Sequence, residues 1–103
     1  MYRHEARFEV SYGRARDLLK AADRLRVIAR ERGWQEPWLW NVSFGAMNVF
    51  VLSTDYPTLT AFQGEYASQL QDSDWMNAQR QITALAVQGS ASTELRETIE
   101  SLA

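Results

Sequence analysis

The chain of 103 residues has room for one domain around one core, and its 46% apolar and 23% charged residues mark a folded globular protein rather than a disordered one. A formal net charge of −2 leaves no excess of cations to neutralise phosphates, so nucleic acid is not an expected partner; no apolar run approaches the roughly 18 residues of a membrane span, so neither is a bilayer. Cysteine is absent, which removes disulfides, thiol nucleophiles and thiolate metal sites together.

Ala6, Phe8 and Val10 alternate with Arg7, Glu9 and Ser11, the period of two of a half-buried strand, which predicts a strand over residues 2–11 ended by Gly13. A helix is predicted next, over 15–32. Ala15, Leu18, Leu19, Ala22, Leu25, Ile28 and Ala29 share one half of its wheel, and Arg16, Lys20, Asp23, Arg24, Arg26 and Arg30 the other. Gly33 stands where a left-handed C-terminal cap belongs.

Pro37 opens a second strand over 38–44, with Trp38, Trp40, Val42 and Phe44 on one face and Leu39, Asn41 and Ser43 on the other. Gly45-Ala46 offers a tight turn, and residues 47–54, rich in Val, Phe and Leu, return as a third strand. Both faces of this hairpin carry apolar side chains, so both are expected to be covered. Helices can cover one; a second copy of the chain is the simplest cover for the other.

After Asp55-Tyr56-Pro57 the stripe Leu59, Phe62, Tyr66, Leu70 predicts a helix, with proline near its first turn. Asp72 and Ser73 cap a further helix in which Trp75, Ile82, Leu85 and Ala86 share a stripe, with Gly89 as its stop. From Ser92 onward Thr93, Leu95 and Ile99 suit a closing strand, while Glu94, Glu97 and Glu100 would tolerate a short helix. The strand is preferred, because βαββαβ then closes as one sheet. The expected class is α+β: a ferredoxin-like βαββαβ sandwich with a split second helix, spanning residues 1–103 as a single domain.

Several short motifs follow one another along this plan. Gly45-Ala46-Met47-Asn48 is a Gly-x-x-Asn turn, residues 49–52 an apolar strand, Asp55-Tyr56 an acidic residue before tyrosine, and Asp72-Ser73-Asp74-Trp75 an Asp-x-x-Trp step. In this order they resemble the NIPSNAP family of the dimeric α/β-barrel superfamily, and the first strand with Arg7, followed by Gly13, is similar to that family's opening. One feature departs: arginines usually punctuate the helix after the tyrosine, and residues 61–70 hold none. The resemblance implies a ferredoxin-like fold and a homodimer in which two copies form a dimeric α/β barrel. It implies no reaction, because this fold hosts many functions.

Candidate site residues are few. His4 is the only histidine and so the only side chain that titrates near neutrality without a shift; it reads as a general base or haem ligand in a pocket between sheet and helices, or as a half-exposed residue at a strand end. Trp38 and Trp40 with Phe44 form an aromatic row that could clamp a flat ligand, or serve as core or dimer interface. Asn41 and Asn48 must find hydrogen-bond partners if their strands are covered: Asn41 could orient a substrate oxygen or bond across a dimer, and Asn48 could do no more than stabilise the hairpin turn. Tyr56, held extended before Pro57, and Tyr66 could present hydroxyls to a pocket.

Between Arg14 and Arg32 the cations Arg14, Arg16, Lys20, Arg24, Arg26, Arg30 and Arg32 face only Asp17, Asp23 and Glu31, an asymmetry that fits either an anionic partner or a solvated face answering an acidic remainder. No phosphate loop or nucleophile elbow is present, one histidine cannot build a multi-histidine metal site, and Asp72 and Asp74 suit helix capping, so neither cofactor nor metal is expected. Residues 1–5 lack the apolar run of a signal peptide, and a cytoplasmic location is the expectation. Two functions remain open: a dimer that binds a small apolar or aromatic ligand, or a cofactor-independent monooxygenase of the antibiotic-biosynthesis type. In the second, Asn41 with Trp38 or Trp40 would hold a phenol while His4 or a tyrosine such as Tyr56 handles the proton.

Overall fold

The structure, a computed structural model, describes residues 1–42, 45 and 47–99. Its elements run β1 (Tyr2–Glu9), α1 (Ala15–Arg32), β2 (Trp38–Asn41), β3 (Val49–Tyr56), α2 (Leu59–Leu70), α3 (Ser73–Leu85) and β4 (Ser92–Glu97). The four strands form one antiparallel sheet in the order β2-β3-β1-β4, which with the intervening helices is the ferredoxin-like βαββαβ sandwich with its second helix divided in two. The tail from Ser92 is therefore the closing strand.

Register sets the two faces of this sheet. His4 lies opposite Thr54, Ala6 opposite Leu52 and Phe8 opposite Phe50, so these side chains share the face on which the helices pack, joined there by Leu39 of β2. The opposite face carries Arg3, Glu5 and Arg7 of β1, Val51, Ser53 and Asp55 of β3, Trp38 and Trp40 of β2, and Glu94 and Arg96 of β4. On it the Arg3 guanidinium donates to both Asp55 oxygens at 2.7 and 3.0 Å, a cross-strand pair that holds the Asp55 carboxyl below its usual range.

The core is made by α1 and α3 against β1. Leu18, Ala21, Leu25, Ile28 and Ala29 of α1 meet Trp75, Ala78, Ile82 and Leu85 of α3 over Phe8 and Val10. Gly33 caps α1 in the left-handed region at φ 73°, where only glycine is unstrained, and the following Trp34 N–H closes on the Ala29 carbonyl at 2.8 Å. Asp72 caps α3, accepting the Trp75 N–H at 3.0 Å. It also accepts from Arg32 at 2.9 Å, which ties the start of α3 to the end of α1.

Several predicted boundaries move, each for a reason in the backbone. The first strand ends at Glu9, because Val10 forms an isolated bridge with Ala86. The same bridge draws Ala86 into an extended conformation, so α3 stops at Leu85, before the predicted Gly89. The third strand starts at Val49 and runs to Tyr56, since Met47 and Asn48 form a turn in which Asn48 takes φ 57°. The second strand is Trp38–Asn41; Ser43, Phe44 and Ala46, placed by sequence in the rest of that strand and the turn, lie outside the described residues. Pro57 precedes α2 rather than entering its first turn: Thr58 is the cap, its Oγ1 accepting the Ala61 N–H at 3.0 Å. Within α1, Leu19 points outward and Ala21 takes a buried place instead.

Ile28 is fully buried at the centre of the α1–α3 contact. Ile28→Ala should lower the unfolding free energy by about 2–5 kcal/mol, read from urea denaturation with an unchanged m-value.

Candidate functional site

A cleft opens between the helix-facing side of the sheet and the pair α2 and α3. Its wide part, about 300 Å³, is lined by Ala6, Phe8, Leu52, Met76, Ile82 and Ala86, with Thr93 of β4 at the rim. It is almost wholly apolar. Its narrow end, a cavity of about 70 Å³, shares Ala6, Leu52 and Gln79 with the wide part and adds His4, Thr54, Tyr56, Phe62, Tyr66, Gln69 and Trp75. Each wall follows from the fold: β1 and β3 alternate His4, Thr54 and Tyr56 onto the covered face, α2 presents Phe62, Tyr66 and Gln69 from successive turns, and α3 closes with Trp75 and Gln79.

Aromatic rings organise the narrow end. His4 stacks on Phe62 with centroids 5.7 Å apart and planes 26° off parallel; Phe62 stacks in turn on Tyr66 at 5.8 Å and 24°. Tyr56 meets the edge of Phe62 at 5.3 Å, and Trp75 meets Trp34 edge-on at 5.5 Å.

Its electrostatics are those of neutral groups. Burial pushes the His4 imidazole below its ordinary value, so the ring is uncharged at neutral pH, and among the described residues neither ring nitrogen is hydrogen-bonded to protein. The Tyr56 hydroxyl is pushed up to about 12, first by burial and then by the nearby Glu65 charge, with Gln69 and Thr54 as opposing polar neighbours. It is therefore a donor and not a base. Glu65 itself is raised by burial and steadied by the Gln35 N–H, which both its oxygens accept at 3.1 and 3.2 Å. No cluster of potential metal ligands exists among the described residues.

The residues singled out by sequence divide between this cleft and other places. His4, Tyr56 and Tyr66 come together in the narrow end. Trp38 and Trp40 stand on the opposite face of the sheet, 55% and 54% exposed, and so cannot hold a substrate beside His4. Trp40 donates its indole N–H to the Ser53 hydroxyl at 2.7 Å, and the Arg26 guanidinium lies 4.2 Å from the Trp38 ring centre. Asn41 ends β2 as an exposed residue outside the cleft. Asn48 lies in the turn before β3 at φ 57°, and its carbonyl accepts the Val10 N–H at 2.9 Å.

The basic face of α1 is in good part answered within the chain. Arg14 pairs with Asp17, Arg26 and Arg30 with Glu36, and Arg32 with Glu31, Asp72 and Asp74.

Thr54, Gln69 and Gln79 were not among the candidates from sequence; Phe62 entered only as part of a helix stripe, and Trp75 as part of a stripe and of the Asp-x-x-Trp step. A wheel exposes Gln69: it follows Phe62 by seven residues and Tyr66 by three, which places a polar amide on the apolar stripe. Thr54 was legible as the residue that continues the Phe50, Leu52 alternation.

No family model matches the chain, and no curated protein matches its sequence. Solved structures do match its fold. An uncharacterised NIPSNAP domain protein from Burkholderia xenovorans superposes with TM-score 0.76 at 12% identity, over 96% of this chain and 95% of that one. A NIPSNAP family protein with unknown function from Agrobacterium tumefaciens gives 0.73 at 15% identity, over 93% and 86%. A putative antibiotic biosynthesis monooxygenase from Nitrosomonas europaea gives 0.72 at 13%, over 97% and 100%. At such identities the likeness is one of fold. The ferredoxin-like architecture is shared along nearly the whole chain, with proteins that carry different descriptions.

His4 is the only histidine, which makes its burial testable. Its folded-state value lies below the ordinary 6.5, so the unfolded chain binds the proton more readily and stability should fall as pH drops from 7 through 6.5. His4→Phe keeps a ring on Phe62 and removes the titration. Melting temperature against pH should slope less for this variant between pH 7 and 5.5; Glu65, whose raised carboxyl acts with opposite sign lower in the range, is common to both proteins.

Proposed function

We propose that the chain is a homodimeric α/β-barrel protein that binds a small, uncharged, apolar or aromatic ligand between its sheet and its helices. The observation that carries the ligand half is the cleft itself: an apolar trough of about 300 Å³ that ends in uncharged hydrogen-bonding groups. Pockets of this size and lining bury a ring or short chain and fix its orientation through a few polar atoms. His4 offers a ring nitrogen, Tyr56 a hydroxyl that stays protonated, and Gln69 and Gln79 amides. A carbonyl or hydroxyl on the ligand would meet these groups without any charge being buried.

The dimer half rests on the other face of the sheet. Trp38 and Trp40 are large side chains left half exposed beside Val51 on the face of the sheet opposite the helix layer, where Arg26 of α1 reaches round to the Trp38 ring. Aromatic residues at the centre of a contact supply most of its energy, and two such faces packed together would complete a barrel.

A second reading is favoured by one feature. His4 is a neutral base with no hydrogen-bond partner among the described residues, in the same cavity as the Tyr56 hydroxyl, the arrangement needed to accept a proton from a bound phenol in a cofactor-independent oxygenation. Trp38, Trp40 and Asn41 have no part in it, since none of them lines the cleft.

Native mass spectrometry reports on both halves of the proposal at once. The expected spectrum is a dimer, with added mass from a retained small molecule or after incubation with aromatic ketones and phenols. Trp40→Glu should weaken the dimer at least about 30-fold, measured by sedimentation equilibrium, as the loss of about 2 kcal/mol from an interface anchor requires. A wild-type monomer at micromolar concentration would refute the dimer. For the oxygenase, quinol oxidation that is present in wild type and lost in His4→Phe is the expected result; activity undiminished in that variant would exclude His4 as its base.

A further inference from the structure

Helix α2 is poorly built for a permanent wall. Its one buried side chain is the amide of Gln69, while Leu59, Tyr66 and Leu70 of its apolar stripe are 40%, 50% and 51% exposed. It carries no acidic residue in its first turn and no basic residue in its last, whereas the first turns of α1 and α3 hold Asp17 and Asp74. Gly64 lies at its middle, where glycine lowers helix stability. Its ends are joints: Pro57 and Thr58 lead in from β3, and Gln71 and Asp72 lead out to α3.

What holds α2 down is local. The Phe62 ring is inserted against His4, with Tyr66 behind it and Tyr56 at its edge, and Glu65 accepts the single N–H of Gln35 in the segment between α1 and β2. With Phe62 in that position the narrow end measures only about 70 Å³. That is room for about two waters at ~30 Å³ each, far short of a ring. The adjoining trough is wide enough for a ligand body and reaches the Gln79 amide directly, whereas a ring reaches His4, Tyr56 and Gln69 only if Phe62 leaves.

We propose that α2 is a lid. It swings on the joints at Pro57-Thr58 and Gln71-Asp72, lifts Phe62 off His4 so that a ligand ring takes the place of the Phe62 ring, and is latched shut by Glu65 on the Gln35 N–H. Hinges of this kind are residues at element ends that absorb the backbone change, and lids belong to the least stable elements of a fold. The identity of what enters rests on the ligand reading above; the opening of α2 does not.

The absence of native cysteine makes the opening measurable with a single introduced thiol and no ligand. Thr54→Cys places that thiol beneath α2, and Ala78→Cys places one in the α1–α3 core as the control for global unfolding. In native buffer a small maleimide should label Thr54→Cys at least about tenfold faster than Ala78→Cys. Adding Glu65→Ala should raise the Thr54→Cys rate about 5- to 30-fold and leave the Ala78→Cys rate unchanged. Equal rates at the two thiols, or an equal acceleration of both, would overturn the lid. Should Thr54→Cys not fold, amide exchange in Glu65→Ala decides the matter: α2 amides should accelerate while those of α1 and α3 do not, and uniform acceleration would overturn it. Because no ligand takes part, absence of a retained molecule in the mass spectrum would count against the ligand reading and leave this result intact.

Discussion

A four-stranded sheet has two faces, and the three helices of this chain can cover only one. The rest of the structure depends on that constraint. On the covered side α1 and α3 supply a continuous apolar layer over Phe8 and Val10, and their mutual packing is fixed by the Arg32–Asp72 contact as well as by their core side chains. On the other side two half-exposed tryptophans stand on the edge strand β2, while β1, β4 and the end of β3 carry charge. Exposed tryptophan in the company of ion pairs suits a surface that meets another surface, since the rings supply area and the charges set register.

The same constraint produces the cleft. Helices pack tightly over β1, but α2 is short, is joined to its neighbours by brief connections, and sits over the ends of β1 and β3 rather than along them. Space is left beneath it; Arg80 stands on the wall of the wide part, but the residues that line the narrow end are uncharged. Neutrality here follows from burial: the imidazole of His4 gives up its proton and the phenol of Tyr56 keeps its own, because a charge in either place would be poorly solvated. A pocket with such walls selects against ions before any particular contact selects for a ligand.

The fold is shared at 12–15% identity with proteins described as NIPSNAP and as a putative antibiotic biosynthesis monooxygenase. The fold alone therefore assigns no task to this chain.

The order of elements was determined by the sequence alone. Period-two alternation in residues 2–9, the wheel of residues 15–32, the glycine at 33 and the aspartate at 72 are local signals, and local hydrogen bonds enforce them. Which aromatic residues share a space was decided only by the tertiary structure. Trp38 and Trp40, a row of large rings on one strand face, were candidates to hold a flat ligand while His4 handled its proton. Strand register instead places them on the opposite side of the sheet from His4, and it is the contact between β1 and β3, with fifty residues of chain between the two partners, that fixes this. Gln69 and Thr54 stood on stripes legible in the sequence, but that the two stripes face each other across one cavity was decided only when α2 was laid across the ends of β1 and β3.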